Sequence, residues 1–295
     1  MKKTLFALAF FLLPASLSFC ESAFHFSFAP RFSLTLGELN EILYDSYDDI
    51  KSQLDWEQKP LVNIGLEASA NYRNIIFSAA FDYSTPAGTS YMYDSDWDGG
   101  QKYSFTKHPM TSAKNIYTEA ALAYEIKTPV KLSVIPELQF NYIYSDFEAG
   151  RGSGIRSGRE IKVYGIDYNR HSFFIFAGLS VKAQITPAFI LKTAFFTAPW
   201  NYHKCFDYHH GVKHPFSTLE FQSGHFTKYK IKVSTQFIAD KNLSIELFSD
   251  IIFGLPDKGI FYTDYYSTSM EKITTQKSGS AIHTLKLGTS VKFHF

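Results

Sequence analysis

Apolar and polar residues alternate along most of this chain, and that alternation limits its fold more than any other feature. In "VNIGLEASANY", Val62, Ile64, Leu66, Ala68, Ala70 and Tyr72 take one face, and Asn63, Gly65, Glu67, Ser69 and Asn71 take the other. The same period of two runs through "VKLSVIPELQFNYIY" from Val130, "YKIKVSTQF" from Tyr229 and "LKLGTSVKFHF" ending at Phe295. A helix needs a period near 3.6, so these segments are strands. Alternation alone fits two architectures. A soluble sandwich buries its apolar face, whereas a membrane barrel turns that face to lipid and lines its lumen with the polar one.

The first twenty residues favour the barrel. "MKKTLFALAFFLLPASLSFC" has Lys2 and Lys3, then an apolar run from Leu5 to Leu17, then small residues, the pattern of a secretory signal peptide over 1–20. It is too short to span a bilayer as a helix, and no later stretch reaches the roughly 18 consecutive apolar residues that a spanning helix needs. Phe19 before Cys20 is a poor context for lipidation. Without the signal, Cys205 is the only cysteine, so an oxidising compartment brings no disulfide framework. Loss of Lys2 and Lys3 takes the formal charge from +1 to −1, which gives no footing for nucleic acid. The chain carries 29 Phe, 19 Tyr and 3 Trp, and it closes an alternating strand on an aromatic residue. An exported, aromatic-rich chain without disulfides has the composition of an outer-membrane barrel.

The connections predict the topology. Four are tight, at Arg73-Asn74, Lys127–Pro129, Thr186-Pro187 and Asp240–Asn242. Five are long, near residues 38–50, 85–111, 146–160, 201–217 and 255–277, and the two kinds alternate. This predicts an all-β fold: one domain over 21–295, a ten-stranded antiparallel transmembrane β-barrel with tight periplasmic turns and long extracellular loops. Many strands exceed the roughly 9–11 residues a bilayer requires, so the barrel should rise above the membrane.

Two polar clusters then fall on the extracellular side. "YMYDSDWDGG" places Asp94, Asp96 and Asp98 at alternate positions before Gly99. A calcium loop of the EF type would need an acid at its twelfth position, where Phe105 stands, and Lys102 occupies the ninth. A solvated acidic loop tip is the plainer reading of these residues in isolation. The second cluster, "WNYHKCFDYHHGVKH", holds His203, His209, His210 and His214, which a zinc ion could use but without any His-Glu-x-x-His helix. Asp207 and His209 share a strand face, as do Asp94 and Asp96. An Asp beside a His fixes its tautomer and raises its basicity. Two close carboxylates resist joint ionisation. Brought together over a barrel mouth, the two couples could hold and deprotonate a water.

These residues resemble the omptin family of ten-stranded outer-membrane proteases. "SQLDW" at Ser52–Trp56, "DSDW" at Asp94–Trp97, the pair His108-Pro109, and Trp200 spaced seven and nine residues before Asp207 and His209 follow the family's order across essentially the whole mature chain. The resemblance implies an endopeptidase in the bacterial outer membrane with its site facing outward. Asp94, Asp96, Asp207 and His209 would be catalytic, a water would be the nucleophile, and neither metal nor cofactor would be needed. Asp98 receives no role.

It also implies cleavage of protein or peptide substrates near basic residues. Glu41 matches one acid of the pocket before the scissile bond. The second acid would fall at Cys205, and the acid reading the residue after the bond would fall at Ser104, so both of those are lost here. Omptins also depend on lipopolysaccharide. In the matching segment "FNYIYSDFEAGRG" the expected Arg around Tyr144 is missing, which leaves open whether this barrel needs that lipid. A monomer is expected. The rival reading is a catalytically silent barrel acting as adhesin or ligand receptor through its loops. A third, a small pore, fits poorly with ten strands, whose lumen side chains largely fill.

Overall fold

The computed structural model describes residues 24–210, 215–264 and 271–295. The signal segment, Cys20 and His214 lie outside them. Ten strands follow one another: β1 (Phe24–Tyr44), β2 (Ile50–Tyr72), β3 (Ile75–Pro86, continuing as Tyr91–Asp98), β4 (Gln101–Tyr124) and β5 (Leu132–Ala149, continuing as Gly152–Arg156) form the first half. The second half is β6 (Arg159–Val163, continuing as Ile166–Thr186), β7 (Phe189–His209), β8 (Phe216–Gly224, continuing as Lys228–Ile238), β9 (Leu243–Gly254, continuing as Asp257–Thr263) and β10 (Glu271–His294). Each pairs antiparallel with the next, and β10 pairs back onto β1, from Ser27 opposite His294 to Tyr44 opposite Lys277. The sheet therefore closes, and among the described residues the first and last strands leave no long edge open between them.

The alternation resolves as a membrane barrel. Ile64 is 67% exposed while its neighbour Asn63 is 2% exposed. The outward faces near the tight turns carry Phe28, Phe32, Phe77, Phe81, Leu122 and Phe195, all exposed. Inside sit Asn63, Asp82, Gln139, Asn141, Lys230 and Ser290, all buried. Apolar outside and polar inside is the inverse of a soluble sandwich.

The polar lumen is held by ion pairs that cross it. Lys230 on β8 reaches Glu119 on β4 at 2.5 Å, and Lys232 reaches the other oxygen of Glu119 at 2.9 Å. Lys286 on β10 reaches Asp82 on β3 at 2.9 Å. Gly65, opposite Asp82 on β2, has no side chain because a Cβ there would lie 2.0 Å from Asp82 Oδ1. These bridges tie opposite walls of the barrel together across the lumen.

The long connections differ from expectation. They are mostly strand rather than loop: β4 and β10 each run 24 residues, more than twice what a bilayer needs. At 85–111 the chain re-enters the sheet at Tyr91 and turns back at Gly99-Gly100, whose φ values of 54° and 78° are those of a tight mirror-image hairpin turn. "DGG" is thus a turn signal, and Asp94 and Asp96 lie on a strand instead of in a calcium-type loop. One strand start also moves. Val130 and Lys131 belong to the turn, with Lys131 at φ 58°, and β5 begins at Leu132.

Candidate active site

The upper half of the barrel, beyond the girdle of outward aromatic residues, carries the predicted residues on four walls. Asp94 and Asp96 sit on the upper part of β3, opposite Thr106 and Ser104 of β4. Asp207 and His209 end β7, with Tyr168 and Ile166 of β6 on one side and Thr218 and Phe216 of β8 on the other. Antiparallel pairing carries both couples to the end of the barrel away from the tight turns, with register shifts on the way at Ile175/Ala177 of β6 and Met110/Ser112 of β4.

Asp207 is nearly covered, with 2% of its side chain exposed, and His209 is 22% exposed. The His209 Nε2 to Asp207 Oδ2 distance is 2.6 Å, a short charge-assisted contact. His209 also stacks on Phe216, with ring centroids 4.1 Å apart. One face and one nitrogen of the imidazole are thereby fixed. Opposite, burial and the neighbouring Asp96 carboxylate push Asp94 up to about 7, while His209 and Arg156 pull the other way. The two couples therefore act on one another electrostatically across the mouth.

A dry layer closes the barrel beneath. Trp56, from "SQLDW", stacks on Tyr168 at 5.0 Å and tilts against Phe147 at 6.0 Å, with Met92 and Leu39 in the same buried cluster. His108, from the His-Pro pair, is buried beside it. Its Nδ1 donates to the Gly150 carbonyl at 2.9 Å, and its Nε2 lies 3.0 Å from Thr106 Oγ1. Burial lowers His108 below the ordinary imidazole value, so it serves as a neutral brace on β4.

The residues matched to substrate pockets divide. Glu41 on β1 and Cys205 on β7 lie together below His209. The Cys205 thiol accepts from the Tyr168 hydroxyl at 3.4 Å, and burial pushes it up to about 11, so it stays protonated. Ser104 stands apart, next to Asp96, where its hydroxyl accepts from Arg156 Nε at 3.4 Å.

The histidines do not converge on a metal among the described residues. His203 is buried against Asp257 at 3.0 Å, His210 pairs with Asp167 at 2.7 Å, and His209 with Asp207. Two neighbours of the site were not singled out from sequence. Arg156, at the end of β5, stands 3.9 Å from Asp96. Glu220 on β8 lies directly opposite Cys205.

The closed sheet, apolar outside and polar inside, defines an outer-membrane β-barrel with carboxylates and an imidazole at its mouth. The omptin family profile matches residues 25–295, and the chain belongs to that family. Among solved structures it is similar to the outer membrane protease OmpT from Escherichia coli, at TM-score 0.79 and 15% identity, covering 95% of this chain and 99% of that one. The outer membrane protein OprG from Pseudomonas aeruginosa aligns at TM-score 0.37 and 8% identity over 92% of this chain and 96% of that one. The attachment invasion locus protein Ail of Yersinia pestis aligns at 0.31 and 9% over 92% and 98%. Scores that low carry no argument. No curated protein matches by sequence.

Proposed function

We propose that this barrel is an endopeptidase that hydrolyses peptide bonds with a water held between the Asp94–Asp96 and Asp207–His209 couples, on the extracellular side of the outer membrane. The observation that carries this reading is the fixed His209–Asp207 pair facing Asp94. With Nε2 donating to Asp207, His209 keeps a lone pair on Nδ1 for a proton from water. Asp94, ionised, accepts the other water hydrogen and aims the oxygen at the carbonyl carbon. Asp96 supports Asp94 and adds to the negative field that favours the imidazolium formed in the transition state. Collapse of the tetrahedral intermediate breaks the C–N bond, and His209 returns its proton to the leaving amine.

Glu41 contributes to specificity for a basic residue before the scissile bond. After the bond, the chain offers Ser104 beside Arg156. A basic residue there meets the Arg156 guanidinium at the place of the family's acid, so Arg-Ala junctions should be cut faster than Arg-Arg junctions.

The pH dependence tests the role of Asp94. Its raised value means that it holds a proton at mildly acidic pH and ionises near 7. The water-holding form is thus lost as pH falls, and kcat/KM should show an acid limb there. Arg156 pulls Asp94 down, so Arg156→Ala should move that limb to higher pH. Because half of the Arg156 side chain is exposed, the shift should be modest, roughly half a unit. A pH–rate profile of the two proteins checks it. A limb that stays put, or moves to lower pH, would remove Asp94 from the titration.

A further inference from the structure

The family's pocket loses its second acid at Cys205, yet the space around Cys205 is not short of carboxylates. The strand pairing sets Glu220 of β8 opposite Cys205. Glu220 is 1% exposed and Glu41 is 7% exposed, and the two carboxyl groups lie close enough to act on each other's ionisation. Gln222 donates to Glu220 Oε2 at 2.6 Å and holds it in place.

Three acceptors here have no donor. Glu41 Oε2, Asp207 Oδ1 and the hydroxyl oxygen of Ser280, which is paired with Glu41 across β1 and β10, are buried without a hydrogen-bond partner. Leaving buried acceptors unpaired is costly, and a ligand rich in N–H groups would relieve it. The protein's own guanidinium does not. Arg170 spends Nη1 on the Ala281 carbonyl at 2.8 Å, Nε on Ser172 at 2.9 Å and Nη2 on His203 at 3.2 Å.

We propose that Glu220 is the specificity-determining acid of this pocket, displaced from position 205 to the facing rung of the next strand, and that with Glu41 it receives the cationic side chain before the scissile bond. This deepens the proteolytic reading and rests on it. The two carboxyls share a proton while the pocket is empty. Burial, then Asp207 and Glu220, hold Glu41 above the usual carboxylate range against the pull of Arg170, and burial, then Cys205 and Asp207, raise Glu220. Tyr168 is the further titratable group beside Cys205. A cation entering the pocket releases the shared proton, so preference for a cationic side chain strengthens as pH rises.

The test compares matched quenched peptides with Arg, Lys or norleucine before the bond. Wild type should favour Arg over norleucine. In Glu220→Gln that ratio should fall by roughly ten- to a hundredfold, the worth of a charge-assisted hydrogen bond. Adding Cys205→Asp to Glu220→Gln should bring it back, which a merely structural role for Glu220 would not do. A ratio unchanged in Glu220→Gln overturns the proposal, as does a double variant that stays unselective. Calorimetric binding of arginine amide to His209→Ala protein, with and without Glu220→Gln, separates the pocket from the chemistry. Glu220-dependent binding without any peptide cleavage upholds the pocket and sinks the protease. Cleavage with an unchanged ratio does the reverse. If Glu220→Gln does not refold, Glu220→Asp replaces it and should keep part of the preference. Loss of binding and of preference in neither variant overturns the pocket.

Discussion

His209→Ala and Asp94→Ala should each lower kcat/KM for a good peptide by at least about a thousandfold, since each removes a group acting on the one attacking water. The double variant should be scarcely worse than either single one, because groups that act as a unit lose their effect together. Neither change should weaken the barrel. His209 ends β7 and is 22% exposed, and Asp94 lies at the mouth above the buried Trp56 layer. Removing Asp94 even relieves a buried carboxylate that its surroundings disfavour. Heat-modifiable mobility on gels confirms folding, and initial rates read the chemistry. Strictly multiplicative losses would mean that the two residues act in separate steps.

The largest stability effect should come from the lumen. Glu119 binds Lys230 at 2.5 Å and Lys232 at 2.9 Å, and it accepts from the Tyr117 hydroxyl at 2.6 Å. Lys230 has no exposed side-chain surface. Glu119→Gln leaves that ammonium without its counter-charge, a change that costs about 3–5 kcal/mol in buried pairs. Glu119→Gln with Lys230→Met removes both charges and should recover much of the loss. Urea unfolding in lipid vesicles measures it. A single variant as stable as wild type would show that water in the lumen already screens these charges. The charged cavity of about 170 Å³ lined by Glu119, Lys232 and Arg31 makes that a real contest.

The barrel was readable because a period of two with apolar residues on one face has few solutions. Tight turns such as Arg73-Asn74 sit where the sequence places them. What the sequence could not show was how far the strands continue. Beyond the apolar belt polar residues enter the outward face as well, as at Lys107 and Thr111 on β4, and the apolar alternation that marks a strand fades there. The region 85–111 therefore reads as loop although most of it is sheet. The Asp94–Asp96 and Asp207–His209 couples were legible because i and i+2 share a face within one strand. Glu220 was not, because its place depends on the register between two strands. His209 pairing with Phe216 brings Cys205 opposite Glu220, and a shift of one residue would turn Glu220 away from the lumen. Arg156 is hidden for the same reason, since it meets Ser104 only through pairing of β4 with β5.

The most direct measurement is cleavage of a small quenched-peptide library by purified, refolded protein, run beside His209→Ala with chelator present, with and without lipopolysaccharide. The library holds Arg-Arg, Arg-Ala and non-basic junctions. Proteolysis by the Asp–His site requires chelator-resistant cleavage, fastest at Arg-Ala and lost in His209→Ala. Cleavage that persists in His209→Ala, or no cleavage of any peptide with either lipid condition, would contradict it and leave a ligand-binding barrel in its place.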